Sequence, residues 1–489
     1  MKSRLRTIPP SIAVDASSST PLYRQLYEAY REAILSGQLG RGAQLPSTRE
    51  VAAELGISRN TVLNAFEQLL AEGYTRGEVG AGTFVDTAFS YPRDRSPNSN
   101  RQTTSSFESP LSKEAIRIAN TPHIEAALPA IPFRTGLPAL DCFPVVLWSR
   151  IVAAASRAAT VADMNYSDPQ GHSRFRCAIA EYLRQFRAVK CEPEQICIVS
   201  GSQQGLQLIA RVMVNDGDAI WVENPGYPGA RAAFSAVGAE LIPVPVDEEG
   251  IQVPSSQGAQ RKAKLVYVTP SHQFPLGFTM SLARRLQLID LCQQNNTWIV
   301  EDDYDSEFRH AGRPLSSLQG LAPDRVIYVG TFSKVMFPAL RLGYIVVPLG
   351  LVEAFSKSRR AADFCPPFIN QAAMATFILE GYFARHLRRM RALYVQRHTA
   401  IVEEIERQPG LLQVSRIHTG IHLPVWLPKS MKDTALAELL SKEGIIAMPI
   451  SKLYLGAPVR QGLLLGFGAI DVLQIQQGVG TLLGVLRTL

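Results

Sequence analysis

The chain has 489 residues, of which 46% are hydrophobic and 19% charged, and its formal net charge is +7. That length calls for two or three domains, and the composition excludes wholesale disorder. The charge permits a polyanionic partner without demanding one, and no apolar run is long enough to cross a bilayer.

The six cysteines are scattered with no Cys-x-x-Cys pair, so the sequence offers neither a zinc site nor a disulfide framework. The start, Met1-Lys2-Ser3-Arg4-Leu5-Arg6, carries charge with no apolar core behind it. No signal peptide is read there, and a cytoplasmic location is expected.

Pro21 opens a helical pattern in which Leu22, Leu26, Tyr30 and Ile34 recur on one face, stopped by Gly37 and Gly40. Ser47 and Glu50 then form a capping box, and Val51 and Leu55 share a helix face. Gly56-Ile57 makes a short turn, and Ser58 caps a second helix with an inner stripe of Val62, Phe66 and Leu69. Two short helices across a glycine turn predict a helix-turn-helix.

Ser58, Arg59, Asn60 and Thr61 stand at the start of the second helix, where a recognition helix reads base edges. Thr48 and Arg49 can reach phosphates. From Gly73 to Val85 two short strands flank a glycine-rich tip with Gly80, Gly82 and Thr83, which reads as a wing. A helical hairpin plus β-hairpin used for dimerisation is the competing reading. Leu45-Pro46-Ser47-Thr48-Arg49-Glu50, the Ser58-Arg59-x-Thr61-Val62 run and Gly80-x-Gly82-Thr83-Phe84-Val85 resemble the winged helix of GntR-family transcription factors in their order. Residues 1–86 are therefore expected to bind a double-stranded DNA operator.

Residues 87–110 are rich in Ser, Asn, Pro, Arg and Thr, and read as a flexible linker. Residues 111–489 alternate apolar strands and helices. Ile196 to Leu206 reads strand, turn, helix, and its helix start offers backbone N–H groups, Ser202 and Gln203 to a phosphate. Arg385, Arg388, Arg389 and Arg391 make one helix basic, which reads as a solvated face.

Two stretches carry the chemistry. Trp298-Ile299-Val300-Glu301-Asp302-Asp303-Tyr304 is a strand ending in acids, and Val326-Ile327-Tyr328-Val329 leads into Thr331-Phe332-Ser333-Lys334. By itself Lys334 reads equally as a surface lysine at a strand end or as an amine of depressed pKa for a Schiff base with pyridoxal 5'-phosphate. Asp302 breaks the tie, because the pyridinium of that cofactor needs a carboxylate partner. Thr331, Ser333 and Arg341 would then hold the phosphate, and the Tyr304 hydroxyl would bond the ring O3'.

Ser333-Lys334 followed by Arg341, Asp302-x-Tyr304, and Asn224-Pro225-Gly226-Tyr227 resemble, in order, the fold-type I pyridoxal-phosphate aminotransferases from about Ile131 onward. The resemblance implies an α/β domain with a mostly parallel sheet, a smaller C-terminal α/β subdomain, and Tyr227 stacked on the cofactor ring. It also implies that Tyr166 reaches the cofactor phosphate of the neighbouring subunit, hence a homodimer. Where those enzymes carry an asparagine, this chain has His272-Gln273-Phe274-Pro275, the form found in the MocR (GabR-like) branch of GntR regulators. Gln273 is taken as a cofactor contact.

One departure matters. The arginine that holds a substrate α-carboxylate is replaced by Leu464, with Arg231 and Arg460 as possible substitutes. The expectation is a regulator that senses an amine or amino-acid effector, or pyridoxal phosphate itself, through the Schiff base on Lys334, with little or no turnover. The alternative is a working aminotransferase with an accessory DNA-binding module.

Overall fold

The structure, a computed structural model, describes residues 12–86, 111–119, 131–254, 262–309, 316–415, 417 and 419–488. The chain separates into two compact units, Met1–Glu108 and Ser109–Leu489. The expected linker, residues 87–110, lies outside the described residues.

In the N-terminal unit, α1 (Leu22–Leu35) buries Leu26, Tyr27, Tyr30, Ala33 and Ile34. α2 (Thr48–Leu55) opens on the capping box: Ser47 Oγ accepts the Glu50 N–H at 3.3 Å, and the Glu50 carboxylate accepts the Ser47 N–H at 2.7 Å. Losing such a cap costs about 1 kcal/mol. Gly56 ends α2 at φ 65°, in the left-handed region that glycine enters freely. α3 (Arg59–Ala71) buries Val62, Ala65, Phe66 and Leu69 against α1, with Phe66 edge-on to Tyr30. β1 (Thr75–Glu78) and β2 (Gly82–Val85) pair antiparallel, Thr75 opposite Val85 and Glu78 opposite Gly82.

The large unit is built on one sheet of β3 (Ile196–Val199), β4 (Ala219–Asn224), β5 (Glu240–Asp247), β6 (Gly250–Ile251), β7 (Leu265–Val268), β8 (Trp298–Asp303), β9 (Val326–Thr331) and β10 (Gly343–Val346). Their order is β3-β10-β9-β8-β7-β4-β5-β6. The run β9-β8-β7-β4-β5 is parallel, and β10 is antiparallel to both its neighbours. β3 therefore points the same way as β9. β3, β7, β9 and β10 are buried along their whole length, as a sheet covered on both faces requires. The consequence is positional: the carboxyl ends of β3, β4, β7, β8 and β9 emerge at one edge, where open α/β sheets bind ligands.

A second sheet follows, made of β11 (Gln413–Val414), β12 (His422–Trp426), β13 (Met448–Pro449) and β14 (Gly462–Gly466) in the order β11-β12-β14-β13, all antiparallel. The helices Asp433–Lys442 and Val472–Arg487 accompany it. It is strapped to the rim of the first sheet. Asn224 Nδ2 donates to Leu455 O at 3.2 Å and Asn224 Oδ1 accepts the Leu455 N–H at 2.7 Å, while Gly226 N donates to Leu453 O at 3.1 Å.

Candidate functional site

Lys334 sits three residues beyond the end of β9, at the carboxyl edge. Its Nζ donates to Gly136 O at 2.7 Å. Gly136 has φ 83°, and a Cβ there would stand 2.8 Å from that nitrogen, so the approach needs glycine. Burial pushes the lysine below its ordinary pKa, although Asp305 and Asp302 pull the other way. A lowered pKa raises the share of neutral, nucleophilic amine at a given pH.

Alternation along β8 sends its two terminal acids to opposite faces. Asp303 pairs with Arg187 at 2.6 Å and accepts from the Tyr328 hydroxyl at 2.6 Å. Asp302 accepts the Tyr267 hydroxyl through Oδ2 at 2.7 Å, and its buried Oδ1 has no partner among the described residues. Burial first, and Asp303 second, push the Asp302 carboxyl up to about 7 against the pull of Tyr267. A buried, unfilled acceptor costs about 1–3 kcal/mol. An N–H donor such as a pyridinium would fill it.

The residues expected at the phosphate end form a cup. Gly201, at φ 85°, precedes the helix Ser202–Met213, and a Cβ there would meet the Arg341 guanidinium at 3.2 Å. Arg341 donates to Ser200 O at 2.5 Å, and Thr331 Oγ1 accepts the Ser333 N–H at 3.2 Å. Ser202 and Gln203 lie in the helix's first turn, whose N–H groups have no intrahelical acceptor. Gln203 donates to Gly229 O at 2.9 Å, which places it beside Tyr227. Burial, then Asp302, push Tyr227 up to about 12, and Arg341 opposes them. An amine, an unfilled carboxylate, an aromatic face and a cationic cup thus gather at one edge, and they fit pyridoxal phosphate.

Not every expected residue joins them. Gln273 donates to Pro225 O at 2.9 Å and Phe274 O at 2.6 Å, and accepts the Leu276 N–H at 3.0 Å. With both ends of its amide committed, it braces the loop and is not free for a ring oxygen. Tyr304, by contrast, stays at that edge, one residue beyond β8, with its hydroxyl 3.1 Å from His272 Nδ1. Arg231 is buried, pulled down to about 10 by that burial, and donates to Leu453 O at 2.5 Å as part of the strap. Arg460 stacks on Trp426 at 4.4 Å and donates to Gln413. Both arginines, the substitutes considered for the missing carboxylate anchor, thus have partners of their own. Leu464 is fully buried with Leu276, Trp426 and Ile450, and Phe274 packs against that cluster. Tyr166 is 79% exposed, with its ring 5.2 Å from Phe364.

Sequence reasoning missed Tyr267, because a tyrosine in an apolar strand reads as core. It also missed the buried Glu223, which accepts from Thr269 Oγ1 at 2.6 Å, and the pairing of His272 with Asp305. The basic helix is solvated at Arg385, Arg388 and Arg389, with Phe383, His386, Leu387 and Met390 buried, but Arg391 is half-buried and donates Nε to Glu307 O at 2.6 Å.

In the N-terminal unit Arg59 and Asn60 are exposed at the start of α3, and Arg49 is exposed in the first turn of α2. Arg59 Nε donates to Thr48 Oγ1 at 3.3 Å, so these two lie side by side. Ser58 Oγ accepts the Thr61 N–H at 3.1 Å and bonds Thr61 Oγ1 at 2.8 Å, which commits both hydroxyls to capping. The β1–β2 tip carries Gly80 and Gly82 at φ 78° and 111°, and Leu45 N holds the hairpin through Thr83 O at 2.8 Å.

Comparison with known proteins agrees with both halves. Residues 22–85 match the family described as bacterial regulatory proteins, gntR family, and residues 142–463 match aminotransferase class I and II. The probable rhizopine catabolism regulatory protein MocR of Rhizobium meliloti is 38% identical over 96% of this chain and 95% of its own. The pyridoxine biosynthesis transcriptional regulator PdxR of Corynebacterium glutamicum is 33% identical over 94% of this chain and 95% of its own. Among solved structures, LysN, the α-aminoadipate aminotransferase of Thermus thermophilus complexed with N-(5'-phosphopyridoxyl)-L-leucine, superposes with a TM-score of 0.70 at 27% identity, covering 77% of this chain and 97% of its own. The chain belongs to the MocR subfamily of GntR transcriptional regulators, a DNA-binding winged helix fused to a pyridoxal-phosphate-dependent, aminotransferase-like domain.

Proposed function

We propose that residues 111–489 serve as a ligand sensor for the DNA-binding residues 1–86, across the tether 87–110, and that catalytic turnover is not their main task. Lys334 would hold pyridoxal phosphate covalently, and Asp302 would accept from its ring nitrogen. Tyr227 would cover its face, and Tyr304 would face its ring oxygen. Ser202, Gln203, Thr331, Ser333 and Arg341 would hold its phosphate. The cofactor supplies an electrophilic carbon that an effector amine can attack, freeing Lys334. An effector shifts the regulator only through different affinities for its two states.

The observation that carries this reading is Leu464. Aminotransferases present an arginine in that slot, whereas this chain presents a leucine buried among Leu276, Trp426 and Ile450. An α-carboxylate would meet an apolar wall there, a desolvation cost without compensation. A cofactor-only sensor is the second reading, favoured by the likeness to a regulator of pyridoxine biosynthesis. The homodimer is supported by Tyr166, exposed together with Val145, Val146, Val161, Met164 and Phe364. With DNA as its target, the protein would work in the cytoplasm.

The test is a half-reaction assay beside a DNA-binding titration. Amines or added pyridoxal phosphate should change operator affinity without converting an α-keto acid. Steady transamination with no effect on DNA would place the enzyme reading first.

A further inference from the structure

Three rings cluster near Lys334. His272 stacks on His422 with centres 4.8 Å apart and planes at 19°, and Tyr304 lies near-parallel to both at 5.7 Å and 6.4 Å. His272 Nδ1 is 2.9 Å and 2.8 Å from the two oxygens of Asp305, and 3.1 Å from the Tyr304 hydroxyl. His272 and Asp305 are only 3% and 1% exposed. Gly420 closes over them: a Cβ there would fall 2.1 Å from His272 Cε1 and 2.7 Å from Asp305 Oδ2.

One imidazole nitrogen carries either a hydrogen or a lone pair. Facing a carboxylate, which only accepts, Nδ1 carries the hydrogen and donates to Asp305. The Tyr304 oxygen can share that hydrogen, but its own proton finds no acceptor on the ring and points elsewhere.

We propose that the His272–Asp305 pair is a positioning device for Tyr304, which keeps the tyrosine proton off the imidazole and presents it to the ring oxygen of the cofactor on Lys334. This rests on the proposed function, in that Lys334 must carry pyridoxal phosphate. A donor on that oxygen competes with the protonated nitrogen of the linkage for the same lone pairs. Removing it therefore raises the pH at which the absorbance of the bound cofactor titrates.

Other charges face these groups. Asp305, Asp302, Glu223 and Asp303 surround Tyr304. Asp305 and Asp302 face Lys334, which in turn lies near His422. Neutralising residue 305 thus moves the midpoint by charge alone, so the test must be a cycle. Wild type, Tyr304→Phe, Asp305→Asn and the double variant are loaded with pyridoxal phosphate and titrated by absorbance. Tyr304→Phe should raise the midpoint by about one pH unit in the wild-type background. In the Asp305→Asn background it should raise it by less than about a third as much, because the freed imidazole nitrogen now accepts the tyrosine proton. Equal shifts in the two backgrounds overturn the positioning role.

If Asp305→Asn fails to load, nitrogen NMR of the unaltered protein decides. His272 protonated at Nδ1 is expected, and His272 protonated only at Nε2 overturns the proposal. A wild type that takes up no pyridoxal phosphate overturns this inference and the proposed function together, whereas equal shifts in loaded protein overturn this inference alone.

Discussion

Tyr267 donates its hydroxyl to Asp302 Oδ2 at 2.7 Å and leaves Oδ1 of the same carboxylate buried and, among the described residues, unfilled. The pair fixes one lone pair of the acid and reserves another. The reserve makes the unliganded protein sensitive to pH, and the sign follows from the direction of the shift.

Asp302, Glu223, Glu301 and Glu307 are each pushed up to about 7, chiefly by burial. Their folded forms hold protons that the unfolded chain releases near pH 4. Stability from these groups is therefore present at low pH and lost as pH rises from about 4 through about 7, with no further loss above. Asp302→Asn should shrink that loss by up to a few kcal/mol. Denaturant titrations of cofactor-free protein at pH 5 and pH 8 measure it. An equal loss in variant and wild type would show that Asp302 is not among the groups that titrate.

Lys334→Ala should abolish covalent attachment of the cofactor. Purified wild type should be yellow, and borohydride should fix the cofactor to the peptide that contains Lys334. The variant should give no fixed label and keep its far-ultraviolet circular dichroism. A labelled peptide from elsewhere in the chain would move the site.

Arg59→Ala should cost about 1–3 kcal/mol of specific binding, with relaxed preference at one base position, if its guanidinium pairs a base. Arg49→Ala should weaken binding evenly across sequences and flatten the salt dependence by about one charge. Footprints of both variants that match wild type would remove DNA contact from α2 and α3.

Leu464 yields two expectations. Wild type should transaminate common α-amino acids negligibly, because orientation over the ring needs an anchor and an arginine bond is worth about 1.5–3 kcal/mol. The sequence suggests that Leu464→Arg would supply it. The burial of Leu464 with Leu276, Trp426 and Ile450 argues otherwise. A guanidinium there would be buried in an apolar cluster, so Leu464→Arg should lower the melting temperature without creating affinity for α-amino acids. A stable variant that binds one would show that the slot opens on the cofactor.

Much of this was legible because local chemistry and fold agree. Ser47 with Glu50 and Gly56 mark both ends of α2, and the stripe of Val62, Phe66 and Leu69 gives the inner face of α3. Asp302 and Lys334 could be placed because strands that end in polar residues deliver them to a sheet edge. Gln273 was misjudged because its neighbour His272 faces Tyr304 instead, and sequence spacing does not say which of two adjacent side chains turns inward at a loop. Arg231 was hidden for a similar reason: its partner, Leu453 O, is a main-chain oxygen 222 residues away. The role of Tyr267 depends on the register of β7 beside β8, which no local signal records.

The strap between the two sheets is written almost entirely in the backbone of one partner. Asn224 and Arg231 reach for the main-chain atoms of Leu455 and Leu453, and never for their side chains. At position 455 the link therefore survives nearly any replacement except proline, which lacks the N–H that Asn224 accepts. Descendants of this chain can change the residue at 455 and keep the mechanical joint, so a tally of matched letters would report divergence where the joint itself stays the same.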